Sequence, residues 1–169
     1  MSKVLVVYGT KTGCTAGIAE TIGETLRAGG VETDVARAED KPDPAGYDAV
    51  IVGSGVRAGL WHAPVKQWLM GHAAELKGRP LALFTACLTM HSNPEKADEV
   101  RAYTDLLLKE TGLEPADIGL FPGMNVLKSL SLPERLIMKA MKAPEGDFRD
   151  MAAVSEWTRA VARTLGLVD

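Results

Sequence analysis

Val4-Leu5-Val6-Val7-Tyr8-Gly9-Thr10-Lys11-Thr12-Gly13-Cys14-Thr15 is the stretch from which the fold can be read. Its opening apolar run is of the kind buried on both faces of a parallel sheet. A hydroxyl-rich loop follows. Ile18, Ile22 and Leu26 then recur at steps of four, with Ala16, Ala19 and Thr25 beside them, the spacing of one helix face. A strand ends, a loop turns and a helix begins. At such a junction the first N–H groups of the helix lack partners and the helix end carries partial positive charge, while Thr10, Thr12 and Thr15 add hydroxyl donors. The combination is a phosphate cradle. It lacks the Gly-Lys-Ser/Thr of a triphosphate loop and the three-glycine dinucleotide fingerprint. A single terminal monophosphate is therefore the expected ligand, held by Thr10, Lys11, Thr12, Gly13, the backbone N–H of Cys14, and Thr15.

Outward from this loop, strand and helix signals alternate. Strands are expected at Val4–Tyr8, Glu32–Arg37, Ala49–Gly53 and Pro80–Cys87, and within Ile118–Val126, where Pro122-Gly123 predicts a bulge or break. Helices are expected at Thr15–Ala28, closed by Gly29-Gly30, and at Pro64–Leu76, Glu95–Gly112, Pro133–Lys142 and Phe148–Leu165. Strands alternating with helices imply an α/β fold: a doubly wound, five-stranded parallel sheet covered on both faces, in the order 2-1-3-4-5. Ligands in such sheets bind beyond the carboxyl ends of the strands beside the first one. The loops after Val52 and after Thr85 should meet the phosphate loop there. A receiver domain shares this architecture but needs acidic residues after the first strand and an Asp after the third. This chain has Tyr8-Gly9-Thr10 and Gly53-Ser54 at those places.

The 169 residues read as one domain, 1–169, long enough to bury a real core. A net charge of −3 with no basic cluster argues against nucleic acid as a partner. No apolar stretch approaches the roughly 20 residues that span a bilayer. Met1-Ser2-Lys3 runs straight into the first strand without a signal sequence, so the expected location is cytoplasmic. Cys14 and Cys87 are too few for a disulfide framework, and no residues with metal-ligand spacing stand out.

The loop Gly53-Ser54-Gly55-Val56-Arg57-Ala58-Gly59-Leu60-Trp61-His62 has glycines that let backbone approach a flat ligand, and Trp61 can stack on an aromatic ring. The loop Thr85-Ala86-Cys87-Leu88-Thr89-Met90-His91 offers backbone groups to the polar edge of such a ring. The Thr-x-Thr-Gly-x-Thr spacing of Thr10–Thr15 resembles the FMN phosphate loop of the flavodoxin family. Gly53–His62, with Arg57, Gly59 and His62, resembles the flavin loop of the flavodoxin-like, menaquinone-dependent protoporphyrinogen oxidases. Asn93-Pro94-Glu95-Lys96 resembles that family's continuation after the fourth strand, the segment Leu136–Lys142 with Glu145-Gly146-Asp147 resembles its late segment, and Trp157 falls where the family carries a Trp in its last helix. The resemblance implies a flavodoxin-like sheet and bound FMN. The ring would be held by Ser54, Gly55, Val56, Arg57, Ala58, Gly59 and Trp61 on one side and by Thr85, Ala86, Cys87 and Leu88 on the other. It further implies electrons passing from a tetrapyrrole to a quinone. The chain departs from low-potential flavodoxins in having Cys14 where Asn is usual, Leu88-Thr89-Met90 after the fourth strand, and only a mild acidic balance.

Arg57 and His62 are the candidate catalytic residues. A guanidinium at roughly 6 Å from the ring, in an effective dielectric of ~20, contributes about 3 kcal/mol. That raises a one-electron potential on the order of 100 mV, before screening by solvent. His62 and His91 are candidate proton carriers, imidazole being suited to that role, whereas Cys87 reads as a small buried hydrophobe. In Lys128–Lys142 the cations Lys128, Arg135, Lys139 and Lys142 stand against Glu134, beside Leu132, Leu136, Ile137, Ala140 and Met141. This segment has two readings: a helix packed on the sheet with lysines toward water, or a peripheral contact with the inner face of the cell membrane. Three functions remain open: an FMN enzyme delivering electrons to a quinone, a shuttle between redox partner proteins, and an NAD(P)H-dependent quinone reductase.

Overall fold

The computed structural model describes residues 1–169. Its elements in chain order are β1 (Lys3–Gly9), α1 (Cys14–Ala28), β2 (Glu32–Arg37), β3 (Ala49–Arg57), β4 (Leu60–Trp61), α2 (Ala63–Leu76), β5 (Leu81–Cys87), α3 (Thr89–Ser92), α4 (Ala97–Ala102), α5 (Asp105–Thr111), β6 (Asp117–Pro122), β7 (Met124–Asn125), α6 (Leu132–Ala140), β8 (Gly146–Asp147) and α7 (Met151–Thr164). Five strands pair in parallel in the order β2-β1-β3-β5-β6. This is the expected 2-1-3-4-5 arrangement, with the short strand β4 attached to β3 as an addition.

Alternation along β1 divides the core into two layers. Val4 and Val6 join Ile18, Ile22, Phe84, Val154 and Val161 beneath α1 and α7. Leu5 and Val7 join Val50, Val52, Leu69, Leu76 and Leu107 beneath α2 and α5. The central strands are buried on both faces, as their uninterrupted apolar runs require. Helix α1 starts after Gly13, whose φ of 87° is left-handed, and closes at Gly29-Gly30, where the Val31 N–H reaches the Leu26 carbonyl.

Two expectations need correction. The third strand does not end at Gly53 but runs on to Arg57, because Val56 and Arg57 pair antiparallel with Trp61 and Leu60. Ala58 and Gly59, at φ 50° and 74°, make the tight turn. What reads as a loose Gly-rich loop is thus a two-residue hairpin. The helix expected over Glu95–Gly112 is broken into a 3-10 turn, α4 and α5. The break lies at Tyr103-Thr104. There Thr104 is fully buried and its hydroxyl accepts from the Trp61 indole at 3.2 Å. The expected interruption at Pro122-Gly123 is present, separating β6 from β7.

Helix α6 begins with a capping box: the Ser131 N–H and hydroxyl both donate to Glu134. Pro133 sits in its first turn, and none of its residues is buried.

Candidate functional site

The carboxyl ends of β1, β3 and β5 bring most of the expected residues together. Thr10 Oγ1 accepts from the Gly13 N–H at 3.0 Å and the Thr15 N–H at 3.5 Å, which folds the loop onto the start of α1. The backbone N–H groups of Lys11 and Thr12 donate to no protein carbonyl. Thr15 is fully buried, yet its hydroxyl has no hydrogen-bond partner in the protein. Gly55 lies against it, so that a Cβ there would come within 3.3 Å of Thr15 Oγ1. Thr85, at the end of β5, has the other buried side-chain oxygen without a partner. An unmet buried hydroxyl costs about 1–3 kcal/mol. Both such hydroxyls belong to the set that the sequence assigns to a cofactor. The donors, the glycine and the helix end therefore fit a phosphate-bearing flavin.

Other expected residues have commitments of their own. Ser54 is fully buried; its hydroxyl accepts from the His62 N–H at 2.8 Å and donates to the Gly55 carbonyl, securing the start of α2. Gly53 is small because the Phe84 ring lies against it. Trp61 does not stand free for stacking. It is buried in the layer beneath α2, its N–H bonded to Thr104. Ala86 and Cys87 lie within buried β5, and Leu88 is partly exposed beyond it. His62 packs over Gly9, and its Nε2 lies 3.2 Å from Glu39. Burial pushes the Glu39 carboxyl up, but bonds from its own backbone and from His62 outweigh this, and the net shift is downward.

The charges converge on a residue remote in sequence. Lys11 Nζ and Arg57, from the Thr-rich loop after β1 and from the hairpin, both pair with Glu134 Oε1 of α6, the Arg57 bond measuring 3.2 Å. The Lys11 ammonium first, and the Ser131 donors next, hold the Glu134 carboxyl down to about 2. The spot where the two cations meet accepts an anion, and the carboxylate offsets the Arg57 charge. Beneath α1, Arg149 donates to the Cys14 carbonyl at 3.1 Å and holds Asp147 at 2.7 Å. That bond lowers the Asp147 carboxyl. Burial pushes the Cys14 thiol up, against a lowering bond from the Met124 backbone. Cys14 and Cys87 are both free. His91 of α3, the short helix that replaces the loop expected after β5, stacks on Phe148 at 3.7 Å and 9°, tying it to the segment before α7.

Glu134, Arg149, Phe148, Glu39 and Thr104 were not legible as site residues. The Ser131–Glu134 capping box is visible in sequence, but its pairing with Lys11, 123 positions away, is not.

Comparison with known proteins agrees with this geometry. The chain is 25% identical over 166 residues to the protoporphyrinogen IX dehydrogenase [quinone] of Escherichia coli K12, covering 92% of this chain and 88% of that protein. It is 29% identical over 124 residues to the Leishmania major protein of that name, covering 72% and 54% respectively. In structure it superposes on oxidised flavodoxin 1 from Bacillus cereus with a TM-score of 0.59 and 16% identity, over 96% and 98% of the two chains. The family profile described as the flavodoxin domain matches residues 5–152. With that match, and with the strand order and loop placement already described, the chain belongs to the flavodoxin domain family.

Proposed function

We propose that this protein binds FMN and oxidises an organic substrate of the protoporphyrinogen class, delivering the electrons to a quinone. The observation that carries the cofactor reading is the pair of buried, unpartnered hydroxyls of Thr15, in the first turn of α1, and Thr85, in β5. The reaction class rests on the names of the relatives, similar over most of this chain. In each cycle the substrate loses two electrons and two protons, and the quinone gains both to become a quinol. When bound, FMN supplies the two-electron relay between them.

The residues of the chain do the holding and tuning. Thr10, Thr12, Thr15 and the N–H groups of Lys11–Cys14 would take the phosphate, with Lys11 as its counter-charge. Gly55–Gly59 and Thr85–Leu88 would flank the ring. Arg57, on the β3–β4 hairpin, would be the cation nearest the ring in this reading, where positive charge favours electron acceptance. His62, anchored by Glu39, is the imidazole available to exchange protons.

The test is an anaerobic assay of FMN-loaded protein with protoporphyrinogen IX and menadione. Expected is quinone-dependent appearance of the oxidised, fluorescent porphyrin. Bound FMN without turnover would remove the oxidase reading. The Arg57–Glu134 pair, which offsets the positive charge, favours a second reading as an electron shuttle between proteins. An anaerobic redox titration giving a very low second potential would select it.

A further inference from the structure

Asp147-Phe148-Arg149-Asp150 lead from β8 into α7, and each is committed to a different neighbour. Asp147 pairs with Met124 of β7. The Phe148 N–H donates to the Gly123 carbonyl at 3.1 Å, and its ring lies on His91 of α3. Asp150 caps α7, accepting from the Ala153 N–H at 3.0 Å. Arg149 reaches the other way, to the first turn of α1. Its Nε and Nη2 hold the two carboxylate oxygens of Asp147 at 2.9 and 2.7 Å, and its Nη1 donates to the Cys14 carbonyl at 3.1 Å. The side chain is only 18% exposed and lies against Gly17, where a Cβ would collide with the guanidinium. The body of α1 does not need this contact, being held by Ile18, Ile22 and Leu26. A cation beside the first turn of a helix also opposes the partial positive charge there. The contact acts on the turn that carries Cys14 and Thr15, directly after the left-handed Gly13.

We propose that Arg149, steadied by Asp147, is a positioning residue for the cofactor's phosphate: it holds the first turn of α1 so that the loop N–H groups and the Thr15 hydroxyl converge on one anion. The inference rests on the FMN reading and adds to it a residue outside the cradle. Its physical basis is preorganisation. Donors on a loop bind an anion tightly when they are already in place, because little ordering is left to be done on binding. Thr10 folds the loop from within, through the Gly13 and Thr15 N–H groups. The Lys11 and Thr12 N–H groups and the Thr15 hydroxyl are left without protein acceptors or partners. Arg149 fixes from outside the turn on which that loop ends. A planar guanidinium gripping a carboxylate by two bonds has one orientation, and the commitments of Phe148 and Asp150 anchor its backbone on both sides.

The test is a fluorescence titration of the flavin-free full chain with FMN and with riboflavin, which has the same ring and no phosphate. Expected for the unaltered protein is tighter binding of FMN. Arg149→Gln should weaken FMN by about tenfold and leave riboflavin within about twofold of its original affinity. Arg149→Lys keeps one donor but not the fork, and should fall between. Asp147→Asn decides how Arg149 acts. It loosens the fork and should weaken FMN severalfold. Were Arg149 to act by charge alone, removing its counter-ion would tighten FMN, and that result would overturn the proposal. So would FMN affinity unchanged in both Arg149 variants. Equal weakening of FMN and riboflavin with a lowered melting temperature would overturn it too, as the mark of a merely structural contact. Should Arg149→Gln fail to fold, Arg149→Lys and Asp147→Asn carry the same test. An unaltered protein that binds neither flavin would remove the FMN reading itself, and the proposal with it.

Discussion

Helix α1 sets Ile18, Ile22 and Leu26 against the sheet with at most 2% of each exposed, whereas α6 leaves Leu132, Leu136, Ile137 and Met141 between 57% and 71% exposed. In both helices apolar residues recur at steps of four. Periodicity reports that a helix has an apolar face; it does not report what covers that face. For α1 the answer follows from the flanking strands, since a short crossover must lay the helix on the sheet. For α6 it follows from a carboxylate. Glu134 is on the polar side and finds two cations on the body of the protein, so the polar side is drawn inward. In the reading that packs α6 on the sheet with lysines toward water, the packing fails, since the apolar side is exposed, while Lys139 and Lys142 do face water.

The comparison can be broken most directly by truncating one residue on each face. Ile22→Ala should destabilise the protein by about 2–5 kcal/mol through loss of burial and a residual cavity. Leu136→Ala should change stability by no more than about 0.5 kcal/mol. Urea unfolding of the two variants measures both. A comparable loss for Leu136→Ala would mean that its face is covered in solution.

At the start of α1, Thr15→Val separates folding from binding. It removes a buried hydroxyl that has no protein partner, so the protein without FMN should be unharmed or more stable by about 1 kcal/mol. FMN affinity should fall by about tenfold or more for a lost hydrogen bond to phosphate. Fluorescence titration and thermal melting read the two effects, which should have opposite signs.

Glu134 sharpens the comparison from the side of α6. Its carboxyl is held at about 2 against an ordinary 4.5. The pairing thus contributes fully above about pH 4.5 and is lost as pH falls toward 2. A carbon-13 carboxyl titration by NMR should show that low midpoint, and Lys11→Gln should move it back up. Glu134→Gln releases Lys11 and Arg57 from their shared anion. FMN should then bind severalfold more tightly, and its potential should rise by some tens of millivolts. Unchanged affinity and potential would place the two cations outside the cofactor's reach.

The smallest effect belongs to the hairpin that holds Arg57. Ala58 adopts a φ of 50°, where a Cβ is strained. Ala58→Asn should add about 0.5–1 kcal/mol and raise the melting temperature by about 1–4 °C. No gain would mean that the turn is less tight than its pairing indicates.

The sequence by itself determined the sheet, its strand order and the Thr-rich loop between β1 and α1. These rest on local patterns, apolar runs and a Thr-rich turn between a strand and a helix, which mean the same thing wherever they fall in a chain. Only the tertiary structure decided the rest of the site. The hairpin gave Trp61 to the core and made Thr104 its partner, because a β3 extended by β4 turns that indole beneath the sheet. Glu134 came to the two cations, and Phe148 to His91, across long stretches of chain. Such meetings depend on where loops return after the sheet has formed, and no spacing along the chain encodes them. The outward face of α6 is the clearest instance: its residues were readable, and its direction was set by one carboxylate meeting Lys11 and Arg57.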